Sequence, residues 1–219
     1  KTGKYFADSV DGGCIVYYNN ICYQKRMAAI GEKVYLMARK ETITKEEILN
    51  VAFQMTREEG SGQVSARTLA ARAGCSTQPI FRVYKNMEEL GDDLFTRAIE
   101  YFSTYCAGFS KVSDTPFVNR GIAYIRFAQE ERQLFKLLFM SENRHGKSLY
   151  DLLSGDNGTV IREINSARAH GCKDPSGMFM RMWICIHGSA CMSLTGDYDL
   201  PEDETIKLLE ESYKAFLNV

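Results

Sequence analysis

The sequence has few residues that interrupt helices: only four prolines, Pro79, Pro116, Pro175 and Pro201, occur in 219 residues. It lacks the run of about 20 predominantly apolar residues that a bilayer span requires. Its most apolar stretch, 178–194, contains Arg181, His187 and Gly188, so no membrane partner is expected. The seven cysteines are odd in number and include no C-x-x-C pair. That excludes a disulfide framework and suits a reducing compartment. With no export signal in view, the expected location is cytoplasmic. Net charge is nearly absent as well: 27 basic against 28 acidic side chains give -1, which excludes a protein that is basic throughout. What remains, 45% apolar and 25% charged residues, is the composition of an ordinary globular protein, neither disordered nor collagen-like.

From about Thr44 onward, apolar residues recur at three- and four-residue spacing, which predicts an all-α chain with no strand series. Helices are expected over 44–59, 65–73, 76–84, 86–109, 116–129, 130–141, 147–153, 158–170, 175–195 and 202–217. The first 36 residues differ. Asp11-Gly-Gly13, Asn19-Asn20 and the run Cys14-Ile-Val-Tyr-Tyr18 give turn-like and strand-like signals that join no later pattern. Residues 1–36 therefore read as an N-terminal extension. It either lies outside the native fold, with Met37 a natural start, or is an extension that folds back on the helical chain or is mobile.

Thr44-x-x-Glu47 forms a capping box, and Ile48, Val51, Ala52 and Met55 follow as one apolar stripe closed by Gly60 and Gly62. Ser65 is the next N-cap, with Leu69, Ala70 and Ala73 turned inward and Gly74 suited to the left-handed residue that ends a short helix. Ser76 is expected to cap again at once. Two short helices joined by a turn containing glycine are the layout of a helix-turn-helix, whose second helix fits a major groove. In that second helix, Ile80, Val83, Tyr84 and Met87 share one face. Gln78, Phe81, Arg82 and Lys85 supply an amide, a ring, a guanidinium and an ammonium on another. Pro79 falls in the first turn, where its missing N–H costs little.

Local charge fits this layout. Residues 61–85 hold Arg67, Arg72, Arg82 and Lys85 with no acidic residue, for +4. Residues 25–45 also sum to +4, from six basic side chains against Glu32 and Glu41, while the last 23 residues sum to -5. The near-zero total thus joins a basic head to an acidic body.

At Gly74-Cys-Ser-Thr-Gln-Pro-Ile-Phe-Arg-Val-Tyr-Lys-Asn-Met-Glu-Glu-Leu90 the sequence resembles the TetR/AcrR family of transcriptional regulators. The match runs over roughly 44–95 and covers the family's turn, recognition helix and start of the fourth helix. The resemblance implies that Ser65, Arg67, Ser76, Thr77, Gln78, Phe81, Arg82 and Lys85 face double-stranded DNA. Where the family often has a tyrosine that bonds a phosphate, this chain has Phe81, which lacks the hydroxyl. The expected organisation is a three-helix helix-turn-helix domain over 37–90 and a helical ligand-binding and dimerisation domain over 91–219.

Asn86-x-x-Glu89 opens a long helix striped by Leu90, Leu94, Ala98, Phe102 and Tyr105, which would connect head to body. Beyond it, 124–140 and Trp183-Ile-Cys-Ile-His-Gly188 resemble the family's WHG-type sensor domain. The resemblance implies a homodimer formed by 175–195 and 202–217, with two recognition helices spaced about 34–36 Å apart for a palindromic operator. Methionines and aromatics at helical spacing are usually core. As a set, however, Phe102, Tyr105, Tyr124, Phe127, Phe139, Met178, Met182, Trp183 and His187 could line a site for a small hydrophobic or aromatic inducer. The function expected is a ligand-released repressor. The alternative is a DNA-binding organiser or partner-binding protein on the same scaffold, with a filled core.

Other signals are weaker. Gly146-Lys-Ser148 lacks the earlier glycine and strand of a phosphate loop, and Asn157-Gly-Thr159 is a glycosylation triplet without meaning in a cytoplasmic protein. His170-Gly-Cys172 and Cys185-Ile-His187 lack zinc-site spacing. No nucleophile, base and orienting group assemble, so no enzymatic activity, metal or cofactor is expected.

Overall fold

The computed structural model describes residues 43–154 and 158–218, and every regular element among them is helical. The expected extension 1–36, most of the basic arm 25–45 and Asn157 lie outside the described residues. Ten helices are described: α1 Lys45–Glu59, α2 Ala66–Arg72, α3 Gln78–Val83, α4 Met87–Gly108, α5 Pro116–Glu130, α6 Arg132–Phe135, α7 Leu149–Ser154, α8 Thr159–Ala169, α9 Pro175–Thr195 and α10 Glu202–Leu217. All four prolines stand at helix starts: Pro79, Pro116 and Pro175 in the first turns of α3, α5 and α9, and Pro201 as the N-cap of α10. A helix start leaves the N–H unbonded in any case, so proline terminates nothing there.

Local capping sets most boundaries. The Thr44 hydroxyl accepts from the Glu47 N–H at 3.2 Å, and the Glu47 carboxylate accepts from the Thr44 N–H at 2.7 Å. Ser65 and Thr68 form the same reciprocal pair at the start of α2, and Asn86 Oδ1 accepts from the Glu89 N–H at the start of α4. Ser76 does not cap α3. The N-cap is Thr77, whose φ of -71° and ψ of -18° are already helical and whose side chain bonds no free N–H. The expected helix over 130–141 also differs. Glu131, at φ -115° and ψ 50°, breaks α5 from α6, and α6 widens into a π turn over Lys136–Met140.

One buried core runs from Ile48 to Leu209. The described residues belong to one compact unit; with α1 to α3 called its head and the later helices its body, α1 packs on α2, α3 and α4, and it also touches α6 directly. In the body, α9 packs on α5, α8 and α10, and α5 packs on α4, α6 and α10. Gly121 on α5 permits a close approach of α9 and α10: a Cβ there would lie 2.8 Å from Ile186 Cδ1 and 3.1 Å from Leu209 Cδ1. Among the described residues no helix is long and apolar enough to cross a membrane.

Candidate nucleic-acid interface

The two helices of the head meet at a left-handed glycine. Gly74 has φ +66°, and the Cys75 N–H donates to the Ala70 carbonyl at 3.0 Å, which closes α2 and turns the chain toward α3. Ile80 and Tyr84 are fully buried against the other head helices, and Val83 and Met87 are half-buried beside them. That apolar face fixes the rotation of α3 about its axis. Gln78, Phe81, Arg82 and Lys85 are therefore left in solvent, together with Ser65, Arg67, Ser76 and Thr77.

The expected surface residues carry unequal chemistry. The Ser65 hydroxyl is engaged by the capping box with Thr68, whereas the side chains of Arg67, Arg82 and Lys85 form no ion pair among the described residues. Arg72 differs. It reaches Glu58 at 2.8 Å and also bonds Glu59, so both ends of its guanidinium are neutralised within the head. Lys45, the one basic residue of the 25–45 arm that is described, pairs with Asp93 at 2.7 Å and lies 4.8 Å from the centre of the Tyr84 ring. The +4 of residues 61–85 thus reduces to three unpaired cations around α3. Arg72 lies outside that set for a reason that sequence spacing does not disclose, because its partners are 13 and 14 residues away.

In the body, the nine residues expected at an inducer site divide into groups. Phe102, Tyr124, Phe127 and Phe139 pack on one another edge-on, with ring centres 4.8–6.0 Å apart. Met178 and Met182 are buried. His187 bonds the Tyr124 hydroxyl through Nδ1 at 2.9 Å, approaches Cys191 Sγ through Nε2 at 3.5 Å, and stacks on Trp183 with ring centres 5.3 Å apart. Burial, with the charge of Arg144 second, lowers its pKa from the ordinary 6.5. Phe102, Tyr124 and Trp183 border one small cavity. Its volume is about 30 Å³, and its other walls include Phe117, Arg120, Gly121, Glu163 and Phe179. Phe117, Gly121 and Tyr124 recur at i, i+4 and i+7 on α5, a spacing legible in the sequence. Nothing local marked Arg120 or Glu163. Burial pushes the Arg120 pKa down and that of Glu163 up. Tyr105 faces a separate open groove of about 550 Å³, where its hydroxyl bonds Glu130 at 2.7 Å.

Head and body are joined at a second cluster that sequence reasoning missed. Arg57 of α1 grips Glu131 with two guanidinium nitrogens, and the Tyr101 hydroxyl of α4 donates to the same carboxylate at 2.8 Å. The loop after the π turn forms another junction. His145 bonds Asp92 at 2.6 Å and lies against Gly91 and Phe95 of α4.

No protein-family model and no curated protein matches the sequence. Several solved structures share the fold, among them the following three. A protein described as a TetR family transcriptional regulator from Vibrio parahaemolyticus is 18% identical, with a TM-score of 0.58 over 78% of this chain and 97% of that one. A TetR-like transcriptional regulator from Rhodococcus sp. RHA1 is 15% identical, with a TM-score of 0.55 over 79% and 94%. A protein of unknown function from the same Rhodococcus is 20% identical, with a TM-score of 0.56 over 77% and 92%.

Proposed function

We propose that the protein is a TetR-like transcriptional regulator that binds a palindromic DNA operator as a homodimer and acts as a repressor. The observation that carries this reading is the exposed set on and around α3, in which Arg67, Arg82 and Lys85 stand unpaired beside Gln78 and Thr77. Unpaired cations neutralise phosphates, and an exposed amide can read base edges. The likeness in fold to two structures described as regulators supports the same reading. The proposed reading carries no catalytic role and a cytoplasmic location.

The second copy is placed on α9 and α10. Met180, Ile184 and Met192 of α9 and Leu208 of α10 are large apolar side chains left in solvent, with Ile184 63% exposed. Met180, Ile184 and the small Gly188 recur every four residues, a stripe that a matching helix of a partner copy would cover.

Selection of random-sequence duplexes by the full chain tests the proposal. Enrichment of a palindrome with half-sites about one helical turn apart is expected, and a pool that yields no enriched sequence overturns it.

Release by a small hydrophobic or aromatic inducer belongs to this reading, with the aromatic cluster around Trp183 as its site. A second reading has no inducer, and the small cavity favours it: about 30 Å³ admits water, whereas ligand pockets span roughly 300–1,000 Å³. Induction requires the α5, α8 and α9 walls to part. Emission of Trp183, the only tryptophan, tests this site. A hydrophobic compound that weakens DNA binding and shifts that emission supports induction there, release from DNA with unchanged emission places the inducer elsewhere, and a set of hydrophobic compounds none of which weakens DNA binding supports the second reading.

A further inference from the structure

A single exposed phenylalanine is unremarkable on most surfaces, but Phe81 differs from the other exposed apolar side chains in where it stands. It is 49% exposed, and among the described residues of α1 to α4 it is the only large apolar side chain left in solvent; the others are on the body, chiefly on α9 and α10. No other ring among the described residues stacks on it. Around it, Gln78 and Arg82 on α3 and Lys85, just beyond the extended C-cap Tyr84, are all exposed. Ile80 and Tyr84 anchor the opposite face, so the ring cannot turn inward without unpacking the helix.

We infer that Phe81 is a specificity-determining residue that reads the 5-methyl group of a thymine in the major groove. This inference rests on the DNA-binding reading above and extends it to one base of each half-site. A phenyl ring offers no donor or acceptor, so it cannot hydrogen-bond a phosphate or a base edge. Laid against the amino, carbonyl or ring-nitrogen groups of the groove, it would strip their water and return no bond. The thymine methyl is the one major-groove feature that gains by contact with an apolar surface. The polar neighbours act in a complementary way. Arg82 and Lys85 hold the helix on the duplex, and the ring selects at the base they bring beneath it.

The test uses the full chain and duplexes recovered from the random pool, with each thymine replaced in turn by deoxyuridine, which removes the methyl and nothing else. One thymine per half-site is expected to matter. Its demethylation should weaken binding about fourfold, the equivalent of about 0.8 kcal/mol for one buried methyl. Phe81→Ala should bind methylated and demethylated duplexes alike. Phe81→Tyr, which keeps the ring, should retain the discrimination. Helix content measured by circular dichroism verifies that the variants are folded. Loss of affinity at no thymine, or an equal loss in Phe81→Ala, overturns the inference while leaving DNA binding intact. A pool without an enriched sequence overturns the DNA-binding reading itself, and this inference with it.

Discussion

Arg57 and Glu131 form a two-pronged ion pair between the first helix of the head and the break that separates α5 from α6, and the two partners are unequally exposed, at 40% and 8%. Each oxygen of the Glu131 carboxylate accepts from Arg57, and one of them also accepts from Tyr101. Three helices that are far apart in sequence are thus tied to one buried charge.

Removal of the two partners should have unequal consequences. Arg57→Ala leaves a buried carboxylate with only a phenol for company and is expected to cost about 2–4 kcal/mol, near the lower end for a broken buried pair because Arg57 is partly in water. Glu131→Gln keeps an acceptor for both neighbours and should cost about 1 kcal/mol. Urea unfolding of the two variants measures the difference, and equal losses would show that the buried carboxylate is not the sensitive partner.

Gly74 should tolerate little else. Nothing among the described residues lies within 4 Å of a Cβ built there, so the penalty for a side chain comes from its φ of +66°. Gly74→Ala is expected to destabilise the protein by about 1 kcal/mol, and Gly74→Asn by less, since asparagine visits this region more readily. Thermal unfolding ranks the two.

His187 makes stability depend on pH near neutrality. Its folded pKa lies below the 6.5 of the unfolded chain, so between the two values the unfolded state holds more protons. Stability from this residue is full above 6.5 and is lost as pH falls through that window. Melting temperature should therefore drop between neutral pH and the onset of carboxylate titration, with a smaller drop in His187→Gln, whose amide does not titrate.

The α9 stripe predicts its own disruption. Ile184→Glu places a charge on the most exposed apolar position of the helix, outside the buried core. Sedimentation should show the wild type as a dimer and the variant as a monomer with unchanged helix content.

How much of this was legible in the sequence depends on the range of the interactions concerned. The caps at Thr44, Ser65 and Asn86 and the ends of α9 and α10 were readable, because a cap involves residues three apart and a helix face repeats every three or four. The rotation of α3 was readable for the same reason, from Ile80, Val83 and Tyr84 on one side and Phe81 and Arg82 on the other. Ser76 misled because a hydroxyl before a helix suggests a cap, while the backbone of Thr77 had already entered helical geometry. The partners of Arg72, the hub at Glu131 and the walls at Arg120 and Glu163 could not be read. Each depends on side chains brought together by packing across distances that no periodicity encodes. The aromatic set around Tyr124 was found as a group, yet spacing could not reveal that its rings fill one another's space.

If the unpaired cations around α3 meet DNA, the salt dependence of binding must register them. The slope of log affinity against log salt measures phosphates neutralised, at about one unit for each contact. Replacing Arg67, Arg82 and Lys85 together with alanine is predicted to lower the slope of the dimer by up to about six units, one for each of the two copies of each residue that meets a phosphate. Arg72→Ala, which removes a cation already paired with Glu58 and Glu59, should leave it unchanged. An unaltered slope in the triple variant, or an equal fall in Arg72→Ala, would contradict a DNA-facing role for these three side chains.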